Sequence, residues 1–167
     1  MSQKPWADVP AARRAVMRAN KAKDTKPEIA TRRMLHAIGY RFRLHRSDLP
    51  GTPDIVFPSR CKAIQVHGCF WHQHEGCRHA IIPVTRRDYW APKLARNIER
   101  DQQNAARLHT LGWHLAVVWE CQLKADPGRQ VRRLQAFLGP TLWARRQHIP
   151  AMSPARPQDT SRQQRER

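Results

Sequence analysis

The chain has 167 residues, enough for one domain that buries its own core. Its 31 Lys and Arg stand against 13 Asp and Glu, a formal net charge of +18, and such an excess strains a compact fold by self-repulsion unless a polyanion balances it. No apolar run reaches the length of a membrane span and no cationic amphipathic anchor appears, so the composition points to nucleic acid and away from a lipid surface. The N-terminus, MSQKPWADVPAARRAV, lacks the apolar stretch of a secretory signal. A cytoplasmic protein with reduced thiols is therefore expected, and Cys61, Cys69, Cys77 and Cys121 read as metal ligands or buried thiols.

Residues 11–21 form a short basic helix candidate with little apolar surface. Thr25-Lys26-Pro27-Glu28 has the form of a capping box, and the helix it opens carries Ile29, Met34, Leu35 and Ile38 before Gly39. In YRFRLH, Tyr40, Phe42 and Leu44 alternate with Arg41, Arg43 and His45, the pattern of a half-buried strand with a basic outer face. LPGTP turns the chain into a second strand over 54–57. PSR turns it again into a third strand over 61–67, with Cys61 as a small core residue. A long helix is expected over 89–111, with Leu94, Ile98, Ala105, Leu108 and Leu111 on its apolar face and Gly112 ending it. Residues 113–119 are apolar enough for a strand buried on both faces. Asp126 and Pro127 suit the N-cap and first position of a helix through Leu138. Residues 150–167 show no periodicity and read as a disordered basic tail.

This order predicts a mixed α/β fold: a three-strand meander plus a fourth strand that a helical crossover makes parallel to the third, flanked by helices. Cys121 then arrives beside Cys69, at the edge where Asp54 begins the second strand. The chemistry gathers there, in VHGCFWHQHEGC (66–77). Cys69, His74, Cys77 and Cys121 form a Cys3His set that suits structural zinc, with His79 as a rival for the histidine position. The alternative is ordinary buried cysteines in a His-rich loop. Asp54 suits a hard cation such as Mg2+ or, more simply, a turn cap. His67 and His72 stand outside the zinc set, and their basicity suits general acid–base work or stabilisation of a phosphorane. Phe70, Trp71 and Trp90 could be core residues, yet Phe70-Trp71 between metal ligands is a good mount for a wedge between base pairs, with much of its ring surface exposed.

PGTPDIVF, VHGCFWHQHEGC, TRRDYW, RNIERD and LGWHLAVVWEC resemble the very short patch repair (Vsr) mismatch endonucleases, from about Ala11 to Leu138. The resemblance implies a restriction-endonuclease-like fold with a structural zinc site. It divides the chain into a basic DNA-contacting segment (1–24), an endonuclease domain (25–149) and the tail. It implies Mg2+-dependent nicking of double-stranded DNA 5′ of the thymine in a T:G mismatch left by 5-methylcytosine deamination, which initiates short-tract repair. Asp54 and the main-chain carbonyl of Val66 would hold Mg2+, His72 would activate water, His67 would stabilise the phosphate and Glu28 would assist. Phe70, Trp71 and Trp90 would enter from the major-groove side and Met17 from the minor groove. Gln65 and His67 stand where related restriction enzymes carry an acid and a lysine. A bacterial, cytoplasmic, nucleoid-associated monomer linked to a cytosine-5 methyltransferase is implied. The competing class is a zinc-stabilised protein that binds distorted DNA without cutting, which would not need the Asp54 and His72 pair.

Overall fold

A computed structural model describes residue 11 and residues 23–141. The basic helix candidate beyond residue 11, Met17 and the tail lie outside the described residues. The elements run α1 (Lys26–Ala37), β1 (Arg43–Leu44), β2 (Ile55–Phe57), a 3-10 turn (Pro58–Arg60), β3 (Lys62–His67), α2 (Arg87–Thr110), β4 (His114–Trp119), α3 (Glu120–Ala125) and α4 (Pro127–Leu138). Among the described residues, no helix is long and apolar enough to cross a membrane.

The local signals for α1 and α4 act as expected. The Thr25 hydroxyl accepts from the Glu28 backbone N–H while the Glu28 carboxylate accepts from the Thr25 backbone N–H, a reciprocal cap. Gly39 follows with φ +90°, a conformation costly for any side chain. Asp126 caps α4 by accepting from the Arg129 N–H at 2.8 Å. At its other end Arg60 donates to the carbonyls of Leu138 and Pro140, and Lys62 to that of Phe137, placing cations on the negative end of the helix.

The four strands form one sheet in the order β1-β2-β3-β4, antiparallel except for the parallel β3–β4 pair. That is the meander-plus-crossover arrangement the sequence predicts. Side chains alternate between the two faces of a strand, and this alternation separates packing from chemistry. Ile55, Phe57, Ile64, Val66, Ala116 and Val118 turn to one face and pack with Leu35, Leu123, Leu134 and Leu138 of α1, α3 and α4. Each fully buried leucine there contributes roughly 1.5–3 kcal/mol. Val56 and Ala63 turn to the other face, with Leu49 and Leu108 of α2. Gln65 and His67 share the parity of Ala63, so they rise on the α2 side.

Five expectations are corrected. Cys61 is exposed, with φ +49° at the end of the 3-10 turn, because β3 begins one residue later. β1 is two residues long and Leu44 is 43% exposed. His45 leaves the strand with φ +46° and turns inward, so it is not part of a basic outer face. β4 alternates in burial, with Ala116 and Val118 inside, because it is the edge strand; β3 is the strand buried on both faces. On α2, Leu94 and Leu108 are buried but Ile98 and Leu111 are exposed. Between the two buried leucines α2 presents Asn97, Asp101 and Asn104 to a cleft, a polar face that a search for apolar periodicity passes over.

Candidate active site and metal centre

The carboxyl ends of β3 and β4 lie side by side, His67 opposite Trp119. From β3 the chain enters the 68–80 loop, and from β4 it enters α3, whose first turn carries Cys121. The loop folds through short turns: the N–H of His72 donates to the Gly68 carbonyl, that of His74 to Cys69, and that of Cys77 to His74. The result brings one ligand atom from each of Cys69, His74, Cys77 and Cys121 within 4.8 Å of one another. His79 is exposed and lies outside that set.

The donor set fits a tetrahedral cation. The His74 Nδ1 lies 3.7 Å from the Cys69 Sγ and 3.2 Å from the Cys121 Sγ. Bonds of about 2.3 Å to sulfur and 2.0 Å to nitrogen place such atoms about 3.5 Å apart around zinc. Burial pushes the Cys69 thiol up to about 12, so it becomes a thiolate ligand only when a cation compensates the charge. The backbone N–H of His79 holds Cys77 below its ordinary value. The His74 ring stacks on Trp119, with centroids 4.1 Å apart and planes 7° apart, which fixes its aim.

Beside this cluster lies an open cleft of about 1000 Å³, bounded by the start of α1, the turn before β2, the end of β3 and the polar face of α2. Asp54 stands at its floor. The Asp54 Oδ2 accepts from the Val66 N–H at 2.7 Å, which ties the carboxylate to β3. Burial pushes its pKa up to about 6, against the opposing pull of that hydrogen bond. A divalent cation would return the group to its charged form, and a carboxylate oxygen is a donor that suits Mg2+.

Across the cleft His72 donates from Nδ1 to the Asp101 Oδ2 at 2.5 Å, so that in the neutral ring Nε2 is the nitrogen that carries the lone pair. Burial alone would raise the Asp101 carboxyl, but the hydrogen bond and charge of His72 outweigh it and hold the group below its ordinary value. Sequence reasoning missed Asp101. Its signal was helical spacing, since Trp90, Asn97, Asp101 and Asn104 fall on one face of α2. Asn97 meanwhile donates to the Trp71 carbonyl at 3.1 Å, so two residues one turn apart clamp the loop to the helix. His67 stacks on His72, with centroids 3.7 Å apart. Burial and then the neighbouring His72 push His67 down to about 3. This corrects the expectation of a group titrating near neutral pH: His67 is neutral there.

Ligand atoms of His67, His72 and Asp101 also fall within 4.8 Å, as do those of Asp24, Glu28 and His45. The first set suits no ion, because nearly parallel rings aim their in-plane lone pairs side by side and not at one point. The second already encloses a cation, the Arg32 guanidinium, 2.5 Å from Asp24 and 2.8 Å from Glu28. Glu28 is 3% exposed and serves the cap and Arg32 together. Gly51 closes the cleft wall with φ +71°, where a Cβ would fall 2.8 Å from the Asn104 Nδ2.

Phe70, Trp71 and Trp90 are half-buried, which corrects the expected exposure of the loop aromatics. They pack on one another, with ring centroids 5.1–6.0 Å apart, and not in either core cluster. The Lys93 ammonium lies 5.7 Å from the Trp71 ring, 5.3 Å from Tyr89 and 5.6 Å from Trp90.

Residues 7–78 match the family model described as DNA mismatch endonuclease Vsr. The chain is 54% identical over 132 residues to the type II nicking enzyme V.XorIIP of Xanthomonas oryzae pv. oryzae, covering 79% of this chain and 96% of that one. It is 41% identical over 108 residues to the DNA mismatch endonuclease Vsr of Escherichia coli K12, covering 65% and 69%. It is 40% identical over 103 residues to the type II nicking enzyme V.NmeAIP of Neisseria meningitidis, covering 62% and 73%. A cleft that pairs a partly buried carboxylate with an oriented histidine suits phosphodiester hydrolysis, and on these matches the chain belongs to the Vsr family of DNA mismatch endonucleases.

Proposed function

We propose that the protein nicks one DNA strand 5′ of the thymine in a T:G mismatch, using Mg2+ in the cleft and structural zinc in the Cys3His cluster. The observation that carries this reading is the pairing across one cleft of Asp54 with the His72–Asp101 dyad. A protein that only bound distorted DNA would need neither.

Asp54 and the Val66 carbonyl would hold Mg2+, which would supply charge neutralisation at the phosphate. His72, oriented by Asp101, takes a proton from the attacking water on Nε2. His67, neutral, donates a hydrogen bond to a phosphate oxygen. The water oxygen bonds to phosphorus as the bond to the 3′ oxygen breaks in line; the 3′ oxygen takes a proton from solvent, leaving a 5′-phosphate and a 3′-hydroxyl. Glu28 acts through Thr25 and Arg32, keeping the start of α1 against the cleft. Cys69, His74, Cys77 and Cys121 would hold zinc with no open position, so its role is to fix the loop.

The meander with one parallel crossover strand supports a restriction-endonuclease-like fold. Residues 25–149 would form that domain, with 1–24 as a DNA-contacting segment and 150–167 as a basic tail. On the DNA, Phe70, Trp71 and Trp90 would insert beside the mismatch opposite Met17. A monomer acting at the nucleoid, in concert with a cytosine-5 methyltransferase, completes the reading.

The test compares nicking of duplexes that differ only in T:G against C:G, with native protein and Asp54→Ala. Selective nicking of T:G that Asp54→Ala abolishes, with mismatch binding retained, is expected. Equal cutting of both duplexes, or continued cutting by the variant in Mg2+, would overturn the reading.

A further inference from the structure

His45 does not behave as a strand residue. Alternation along YRFRLH would send it outward with Arg41 and Arg43, yet the backbone turns left-handed at φ +46° and the side chain enters the cleft, 16% exposed. A histidine in that region carries strain, which persists only where the surroundings hold it. What holds it is Arg32, whose NH2 group lies 2.8 Å from the His45 Nε2. A guanidinium has no lone pair to offer and remains charged. The contact is therefore a hydrogen bond only if Nε2 accepts, and the ring proton must reside on Nδ1. That nitrogen faces the Asp54 Oδ1 at 3.9 Å. The other Asp54 oxygen is already taken by the Val66 N–H.

We infer that His45 is a positioning residue of the cleft: Arg32 holds it as the Nδ1–H tautomer, and that N–H steers the Asp54 oxygen that Val66 leaves free. Arg32 is itself fixed by Asp24 and Glu28. The capping residue Glu28 thus connects to Asp54 through two side chains that charge and geometry define. Such outer partners set the aim of a carboxylate ligand, and removing them costs roughly 10–100-fold in metal affinity or activity; a residue that acts only by aiming the ligand should show its loss in the metal requirement. The inference rests on the proposed role of Asp54 as a metal ligand for its functional consequence, but not for the tautomer itself.

Two experiments separate the parts. Long-range 1H–15N correlation spectra of the zinc-loaded, Mg2+-free protein report the His45 tautomer directly. Nδ1–H is expected, and Nε2–H would overturn the inference whatever Asp54 does. His45→Gln and His45→Asn are then compared, because a glutamine amide reaches the place of Nε2 and an asparagine amide that of Nδ1. The Gln variant should raise the Mg2+ concentration for half-maximal nicking roughly tenfold, with the rate at saturating Mg2+ little changed. The Asn variant should stay close to the native requirement. Asparagine also tolerates the left-handed backbone better, so thermal stability is followed in parallel. A Gln variant that loses stability but keeps the native Mg2+ requirement would show a merely structural role and overturn the proposal, as would equal losses in both variants. If Asp54→Ala still nicks, the metal reading fails while the tautomer result stands.

Discussion

The two walls of the cleft are built by different means. Asp54 and His67 stand on or beside strands, and β-sheet register places them: Ile55 pairs with Ile64, and Asp54 reaches the Val66 N–H from the same ladder. His72, Phe70 and Trp71 stand on a loop whose turns bury little apolar surface. That wall has the Cys3His cluster on one side and is held by Asn97 and Asp101 of α2 on the other. Both walls meet the same phosphate in the proposed reaction. The strand wall draws its order from hydrophobic packing beneath the sheet; the loop wall, in the proposed reading, draws it from zinc in the Cys3His cluster and from two side-chain clamps. Perturbing one support should therefore move one wall and leave the other.

The largest separation is expected from Cys121→Ser. Structural zinc contributes on the order of 10 kcal/mol of apparent binding free energy, comparable to the stability of a whole domain. Loss of one thiolate should give protein with little zinc, poor solubility and no nicking. Measured zinc content together with amide exchange sharpens the comparison: the loop should lose protection before β3 does. A soluble, zinc-replete and active variant would show that β4 delivers no ligand to the cluster.

His72→Ala should leave zinc content and fold intact, since the histidine of the cluster is His74. General-base catalysis contributes roughly 10²–10⁴-fold, and the cleavage step should slow within that range while mismatch binding persists. Asp101→Asn should act in the same direction but less, because an amide oxygen still accepts from the His72 Nδ1–H. Single-turnover rates separate these effects from binding. Loss of zinc in His72→Ala would move that residue into the metal cluster.

The strand wall has a signature in pH. Burial raises the Asp54 carboxyl from 3.8 to about 6. Below that value a metal must displace a proton, and above it the carboxylate is already charged. The Mg2+ concentration for half-maximal nicking should thus rise about tenfold for each unit of pH lowered below 6, and stay flat above it. His67, pushed down to about 3, adds no step in that range. Mg2+ titrations between pH 5 and 8 would show the break, and a flat requirement throughout would remove Asp54 from the metal site.

Local signals made much of this architecture legible in the sequence. The Thr25–Glu28 box, Asp126-Pro127 and the crossover rule between β3 and β4 each act within a few residues or through a strong topological preference. The arrival of Cys121 beside Cys69 followed from that topology. The unread features have another origin. Asp101 is polar on a helix whose apolar period is interrupted by the cleft, so a pattern built on burial misses it. His45 depends on a left-handed turn that Arg32 holds from thirteen residues away. Both owe their places to side-chain chemistry between elements, which periodicity does not encode.

The smallest expected effect concerns Trp71, on the loop wall next to His72. Its ring packs against Phe70 and Trp90 with Lys93 beside it, half-buried in a cluster apart from both cores. Removing it should therefore cost little stability. In the proposed complex these rings wedge between base pairs, an insertion that costs least where a wobble pair already weakens the stack. Stacking of a base on an aromatic ring is worth about 1–3 kcal/mol, and that contribution should vanish from the T:G complex in Trp71→Ala. Non-specific affinity comes instead from Lys and Arg on phosphates and depends on salt, not on the mismatch. At fixed salt, binding and nicking of T:G duplex should fall while binding of C:G duplex stays close to native. Equal losses on the two duplexes would assign Trp71 to packing and place selectivity on the other residues of the cleft.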